Sequence, residues 1–181
     1  MTVEARITPV WKKQKILLAL LLIGFGGWFL FDGLVGYPKS DERYRKLEAL
    51  SADKTNWPAL AKEHSIGAVP EKFLGPGKVI EQFVAAGITG FIGLGVLIYW
   101  LSQINRSVRM DDEAVTASDG KRIPFSAIIG VGKKLWDKKG IAKVRYSLNG
   151  KQGEFIVDDY KFDTKPSRQI LEEIEKRLTA E

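Results

Sequence analysis

Two long apolar stretches, separated by a polar segment, dominate the hydrophobic pattern of the chain. They cover residues 16–31 and 83–101, and neither contains a charged residue. A helix rises about 1.5 Å per residue, so the second stretch reaches across most of the roughly 30 Å hydrocarbon layer of a membrane. The first can continue through Asp32 to Tyr37, with Asp32 near the headgroups. The pattern therefore predicts transmembrane helices over 16–37 and 79–102.

Two other interpretations of these stretches were weighed. Lys12, Lys13 and Lys15 precede the first stretch as a basic region precedes the apolar part of a signal peptide, but the bulky residues 27–31 stand where a cleavage site needs small ones. This favours a retained anchor. A pair of buried helices in a soluble protein would rarely contain a run as apolar as 83–101.

The basic residues predict the orientation of the two helices. The N-terminal tail, residues 1–15, carries Arg6 and three lysines against the single acidic residue Glu4, and Arg106 and Arg109 follow the second stretch directly. Positive charge near the ends of membrane helices is retained in the cytoplasm. We therefore expect both termini in the cytoplasm and an extracytoplasmic loop over 38–78.

The loop over 38–78 is predicted to be helical, and it offers no catalytic group. One helix is expected from Ser40, and a second from Asn56 to Gly67. His64 is the only histidine, and no nucleophile or orienting carboxylate stands at a usable spacing, which favours a solvated surface residue. The chain has no cysteine. Its paired acidic residues lack the spacing of a calcium loop, so we predict no catalytic residue, metal site or cofactor.

Small residues recur along one face of the second apolar stretch. Such residues let another helix approach closely, and the glycines of the first stretch make it the expected partner, with a homo-oligomer as the other possibility. Glycine is also common in membrane helices without a packing role. The predicted packing residues are Ala85, Ala86, Thr89, Gly90 and Gly93.

From Ser107 onward the hydrophobic period changes from helical to strand-like. Short alternating segments are separated by turn residues, and a final helix from Pro166 carries one apolar stripe. The order predicts a small, strongly bent antiparallel sheet or barrel, with the helix covering its open side. The predicted strands are 107–110, 114–117, 122–125, 128–136, 141–148 and 154–157.

Two segments between the second apolar stretch and the final helix resemble a known family. They are VRMDDEAVTASDGKRIPFSAIIGV (108–131) and EFIVDDYKFD (154–163). They resemble the bacterial pleckstrin-homology-like (PH-like) domains appended to membrane helices, in which Asp119-Gly120 and Ile123–Ile128 match a motif leading into the next strand. The resemblance covers about 107–178. It implies a cytoplasmic PH-like domain over 103–181, in an α+β protein of the bacterial inner membrane, and supplies no catalytic residues.

Basic residues cluster around the hairpin that follows this motif. Lys143 and Arg145 alternate along one strand and share a face. A site for anionic lipid headgroups and a solvated charged face are both compatible with the pattern, and the second is favoured. The net charge of +6 comes without a nucleic-acid motif, so we expect no nucleic-acid partner. The candidate lipid-binding residues are Lys133, Lys134, Trp136, Lys138, Lys139, Lys143 and Arg145.

Taken together, the patterns favour a non-enzymatic two-pass protein. Its partners are expected to be the lipid bilayer and another membrane protein or a second copy, with the PH-like domain acting as a scaffold or accessory subunit. The alternative is a sensor of anionic lipid headgroups that uses the basic hairpin. An enzyme of unknown type is a distant third.

Overall fold

The computed structural model describes residues 2–179. The chain divides into two compact units, and the first is built from both ends of the chain. The residues up to Ile16 and those from Ile98 onward form this unit, and Leu17–Leu97 form the other.

One continuous helical segment runs from Pro9 to Leu50. It consists of α1 (Pro9–Phe31), a π-helical segment (Asp32–Gly36) and α2 (Tyr37–Leu50). A helix beginning at Ser40 was predicted, but the helix continues through this position. The wider π turn lies directly before Pro38, which lacks an N–H group, so the helix passes the proline without the usual clash.

A short 3₁₀ turn (Lys54–Asn56) and α3 (Trp57–Glu63) follow, and the chain then enters α4 (Gly75–Gln103). The long helices Pro9–Leu50 and Gly75–Gln103 are both apolar enough and long enough to cross a membrane. Their large apolar side chains are mostly exposed, Phe91 by 81%. Such surfaces are unfavourable in water and indicate a membrane environment.

The helical loop has a small core of its own. Leu47, Trp57 and Ala61 are buried together, and the Trp57 indole N–H donates to the backbone oxygen of Ser51 at 2.9 Å. The Asp41 carboxylate accepts from the backbone N–H groups of Leu74 and Gly75 at 2.7 and 2.8 Å, which ties α2 to the start of α4. These contacts make the loop a packed helical segment rather than a free connection.

The other unit contains two antiparallel sheets. The first sheet has four strands in the order β1–β2–β3–β4, and the second has three in the order β5–β6–β7. Short helix α5 lies between β5 and β6, and α6 ends the described chain. The elements are β1 (Val3–Arg6), β2 (Ser107–Met110), β3 (Ala114–Thr116), β4 (Arg122–Pro124), β5 (Ile128–Leu135), α5 (Trp136–Lys139), β6 (Ile141–Leu148), β7 (Lys151–Asp158) and α6 (Thr164–Thr179).

Strand β1 lies within residues 1–15, for which the sequence predicts only a basic tail. It pairs antiparallel with β2, with Val3 opposite Met110 and Arg6 opposite Ser107. Its alternation places Val3 and Ala5 in the core of the domain. The N-terminal residues are therefore part of the same β domain as the residues that follow α4.

Helix α6 closes the core of the β domain. Ile170, Leu171 and Ile174 are at most 2% exposed and pack in one cluster with the inward side chains of both sheets. This is the α+β arrangement that the sequence predicted: two long apolar helices, small antiparallel sheets and a C-terminal helix.

Candidate functional site

The predicted basic hairpin residues fall into two groups in the structure. Lys133 and Lys134 end β5, and Trp136, Lys138 and Lys139 belong to α5, so these five lie at the tip of the hairpin. Gly140, with a φ of 67°, ends α5 and starts the return strand. The indole of Trp136 is partly buried against the core of the domain. This tryptophan therefore supports the hairpin and is not a free side chain at its tip.

Lys143 and Arg145 form the second group, on the outer face of β6. Lys143 pairs with Glu154 of the neighbouring strand at 2.8 Å. The Arg145 guanidinium lies over Gly130 of β5. A Cβ atom placed on that glycine would stand only 3.0 Å from Nη2 of Arg145. The two residues share one face, as the alternation predicted, but they lie along the strand and not at the tip.

Ion pairs neutralise part of the hairpin. Lys133 at the tip pairs with Glu175 of α6 at 3.0 Å. Within residues 2–179, the side chains of Lys134, Lys138 and Lys139 make no ion pair or hydrogen bond. The cations that remain free for a ligand are therefore these three at the tip and Arg145 on the strand.

Two exposed apolar residues that the sequence pattern did not single out lie on the strands that flank β6. Ile129 of β5 is 51% exposed and Ile156 of β7 is 45% exposed. Ile156 stands directly opposite Lys143 in the β6–β7 register, and β5 presents the glycines 130 and 132 to the same side. The strand pattern around Ile156 could have indicated its outward position, because Phe155 and Val157 on either side face the core.

The predicted packing residues of α4 lie along the side that approaches α1. The closest approach is at Gly93, where a Cβ atom would stand 2.9 Å from the backbone nitrogen of Ile23. A Cβ atom on Gly26 of α1 would stand 3.1 Å from the backbone of Gly90, yet a Cβ atom on Gly90 itself would meet nothing within 4 Å. The Thr89 hydroxyl donates to the backbone oxygen of Ala85 in its own helix. The small residues that close packing requires are thus Gly26 and Gly93.

Ala85 and Ala86 are partly buried on the same side of α4. The backbone oxygen of Ala86 lies 3.3 Å from the position of a Cβ atom on Gly26. The two alanines therefore belong to the row of small residues at the α1–α4 contact.

The other titratable groups considered as candidates, Asp111 and His64, lie in a turn and at the surface. Arg122 and two backbone N–H groups hold the Asp111 carboxylate in the turn after β2 and lower its pKa to about 2, with the Arg122 hydrogen bond as the main cause. His64 ends α3 and lines an open cavity of about 420 Å³ with Arg43 and Lys46. Within residues 2–179, no three His, Asp or Glu side chains are grouped as metal ligands would be.

No protein-family model, no curated protein and no solved structure matches this chain. A function must therefore be argued from the geometry of its own residues.

Proposed function

We propose that this chain is a non-enzymatic, two-pass membrane protein whose PH-like domain docks another membrane protein, as a scaffold or accessory subunit. The observation that carries the proposal is the outer face of β5–β7, where Ile129 and Ile156 are exposed beside Lys143 and Arg145. The proposal includes no catalytic residue and no cofactor.

The composition of this face favours a protein partner over a lipid surface. One of its two cations, Lys143, is already paired with Glu154, which weakens attraction to anionic headgroups. The two isoleucines supply exposed apolar area. Gly130 and Gly132 have no side chains to project from β5, so this part of the face does not protrude. Exposed apolar side chains surrounded by arginine and paired charges are typical of protein interfaces.

The strand order supports the PH-like part of the proposal. A four-stranded and a three-stranded antiparallel sheet are accompanied by one C-terminal helix that covers the core. The fold by itself assigns no ligand, so the function rests on the face just described.

The pairing of β1 with β2 supports a topology with both termini on one side. If α1 and α4 each cross the membrane, strands that precede α1 and follow α4 can pair only on the same side. The basic residues Lys12, Lys13 and Arg106 next to the two spans favour the cytoplasm, and the proposed location is the bacterial inner membrane.

Site-specific photo-crosslinking in the native membrane tests the docking role. A photoreactive residue at position 129 or 156 of the full chain should give one discrete crosslinked protein species. Position 152 is the matched control for position 156, because Gln152 is exposed on the same strand as Ile156 but at its far end. Mass spectrometry of the product distinguishes a second copy of this chain from another protein. Equal crosslinking from position 152, or crosslinks to lipid alone, would contradict the docking role.

A lipid-sensing hairpin is the second candidate. The observation that favours it is the set of unpaired cations at the tip, Lys134, Lys138 and Lys139. In nanodiscs, anionic lipid should then slow hydrogen exchange of the α5 amides, and added salt or glutamine at all three positions should reverse the effect. The full chain is required, because a fragment that begins at Ser107 lacks β1. Equal exchange in neutral and anionic nanodiscs would exclude this role.

A further inference from the structure

A polar cleft of about 260 Å³ lies between β1, the first turn of α1 and the segment that follows α4. Its lining includes four cations and one carboxylate, although these residues come from two segments that lie far apart in the sequence. The charged residues of this juxtamembrane cleft are Glu4, Arg6, Lys12, Arg106 and Arg109.

The carboxylate of the juxtamembrane cleft is fully engaged by two of its cations. Glu4 accepts from Arg6 Nη2 and from Arg109 Nε, both at 2.9 Å. Hydrogen bonds from Arg6, Ser107 and Arg109, in that order of importance, lower the pKa of Glu4 to about 2. Glu4 is therefore ionised at neutral pH and positions both guanidinium groups on the outer face of the β1–β2 pair. One negative charge is shared between two positive ones.

The other two cations have no counter-charge. Within residues 2–179, neither Lys12 nor Arg106 forms an ion pair. Arg106 donates through Nε to the backbone oxygen of Ser102 at 3.1 Å, and its terminal amino groups make no hydrogen bond in that part of the chain. The backbone oxygen of Lys12 accepts from the Trp100 indole N–H at 3.0 Å, which fixes the position of this residue. The cleft therefore holds a local excess of positive charge on an ordered backbone.

A fifth cation, Lys161, lies near Arg106 but is not part of the lining of the cleft. Lys161 donates to Gln103 Oε1 at 2.8 Å and lies over the ring of Trp11, with Nζ 5.4 Å from the ring centroid. Partial burial is the main cause that lowers its pKa; the Asp158 carboxylate opposes this shift, and the charge of Arg106 adds to it. Arg106 thus already repels a neighbouring cation, and a bound anion would relieve this repulsion.

The position of the cleft in the chain indicates which anion it meets. Lys12 lies in the first turn of α1, just before the apolar residues, and Arg106 lies just beyond Gln103, the last residue of α4. If the two helices span the membrane, both positions are at the level of the lipid headgroups. Arginine pairs with phosphate through two parallel hydrogen bonds, and lysine binds it as a point charge.

We infer that the juxtamembrane cleft binds the phosphate group of an anionic glycerophospholipid through Arg106 and Lys12, with Arg6 and Arg109 at its rim. This site is separate from the basic hairpin and from the docking face of β5–β7, so it does not depend on the proposed docking function. Its effect would be to fix the β domain to the anionic leaflet beside the two spans.

Native mass spectrometry of the full chain released from nanodiscs is the test. The nanodiscs contain phosphatidylcholine with or without phosphatidylglycerol, and the measured quantity is the anionic lipid retained per chain. A basic residue near an anionic surface contributes about 1 kcal/mol, which is about fivefold in affinity, so Lys12→Gln with Arg106→Gln should weaken retention roughly 30-fold. The matched control is Lys134→Gln with Lys138→Gln, which removes the same charge from the hairpin tip and should change retention little.

Two further measurements separate the possible causes of a loss. Hydrogen exchange of the β6 amides reports whether the domain of each variant is folded, and Arg106→Lys, which keeps the charge but loses the paired N–H groups, should give an intermediate loss. Inorganic phosphate added to neutral nanodiscs tests a soluble source. If it slows exchange in residues 104–109 as well as phosphatidylglycerol does, the ligand is free phosphate and the lipid assignment is wrong. Equal retention of neutral and anionic lipid, or a loss only in the hairpin control, would overturn the inference.

Discussion

Ile7 offers the most direct test that the N-terminal residues are part of the β domain. It follows β1, is 3% exposed and pairs in an isolated bridge with Phe162, which precedes α6. Its side chain belongs to the same core cluster as Ile170 and Ile174 of α6. Replacing Ile7 by alanine leaves the charge and the membrane helices unchanged, but it removes methyl groups from the centre of this core.

The expected magnitude follows from the burial of the side chain. Replacement of a buried isoleucine by alanine costs about 2–5 kcal/mol, because transfer energy is lost and a cavity remains. Since each 1.4 kcal/mol corresponds to a factor of ten, a loss of about 3 kcal/mol should accelerate exchange of the core amides roughly 150-fold.

Hydrogen exchange with mass spectrometry, on the full chain in nanodiscs, measures this effect. The informative peptides cover β2, which pairs with β1, and β6, which lies in the other sheet. The matched control is Ile88→Ala in α4, where the side chain is 57% exposed and should leave β2 and β6 unchanged. Unchanged exchange in β2 after Ile7→Ala would show that the N-terminal residues do not complete the domain, and the argument above would fail.

Three further predictions concern close contacts and charge. Gly93→Ala should lower the thermal stability of the helix pair in detergent, because its Cβ atom would stand 2.9 Å from backbone of the facing helix; Gly90→Ala, which meets open space, is the control. Gly140→Ala should lower the urea midpoint of the β domain more than Gly150→Ala, since both have positive φ but only the first would overlap a carboxylate. Folding lowers the pKa of Glu4 from 4.5 to about 2, so the protection of β1 and β2 amides should fall as pH drops through this interval. Glu4→Gln should reduce that pH dependence, and Asp111→Asn should remove most of the remainder, because the Asp111 carboxylate beside β2 has a similarly lowered pKa; an unchanged dependence in Glu4→Gln would contradict the role of Glu4.

Periodicity in the sequence was sufficient to predict the elements whose partners lie nearby in the chain. Strand β6 illustrates this, because Ala142, Val144 and Tyr146 alternate inward and Lys143 and Arg145 outward, as the pattern indicated. Each half of a hairpin is adjacent to its partner, so local pattern and turn residues contain most of the information.

Strand β1 could not be predicted in this way. Its residues, Val3–Arg6, are too few to give a periodic signal, and their partner strand Ser107–Met110 follows both long helices. The ion pair between Lys133 and Glu175 could not be predicted for the same reason. Glu175 belongs to a helix far along the chain, and it neutralises one lysine of a hairpin whose local sequence is basic. Long-range contacts decide both features.

The packing glycines show a different limit of sequence spacing. A row of small residues identifies one side of α4, but the rotation of the helix decides which Cβ position faces its neighbour. Gly93 faces α1 directly, while Gly90 offers its backbone to Gly26 and its own Cβ position is open. Spacing alone therefore selects the correct face of the helix without identifying the residue that must be small.

The division of the β domain between both ends of the chain has a consequence for folding. Strand β1 is synthesised before α1, and its partner β2 only after α4, so the β1–β2 pair can form only after both long helices have been synthesised. Until then Val3 and Ala5 have no core to enter, although both are buried in the folded domain. The core is completed by α6 at the other end of the described chain. Correct placement of α4 is therefore a condition for closing the domain, and substitutions in the membrane helices should be examined for effects on β2 as well as on the helices themselves.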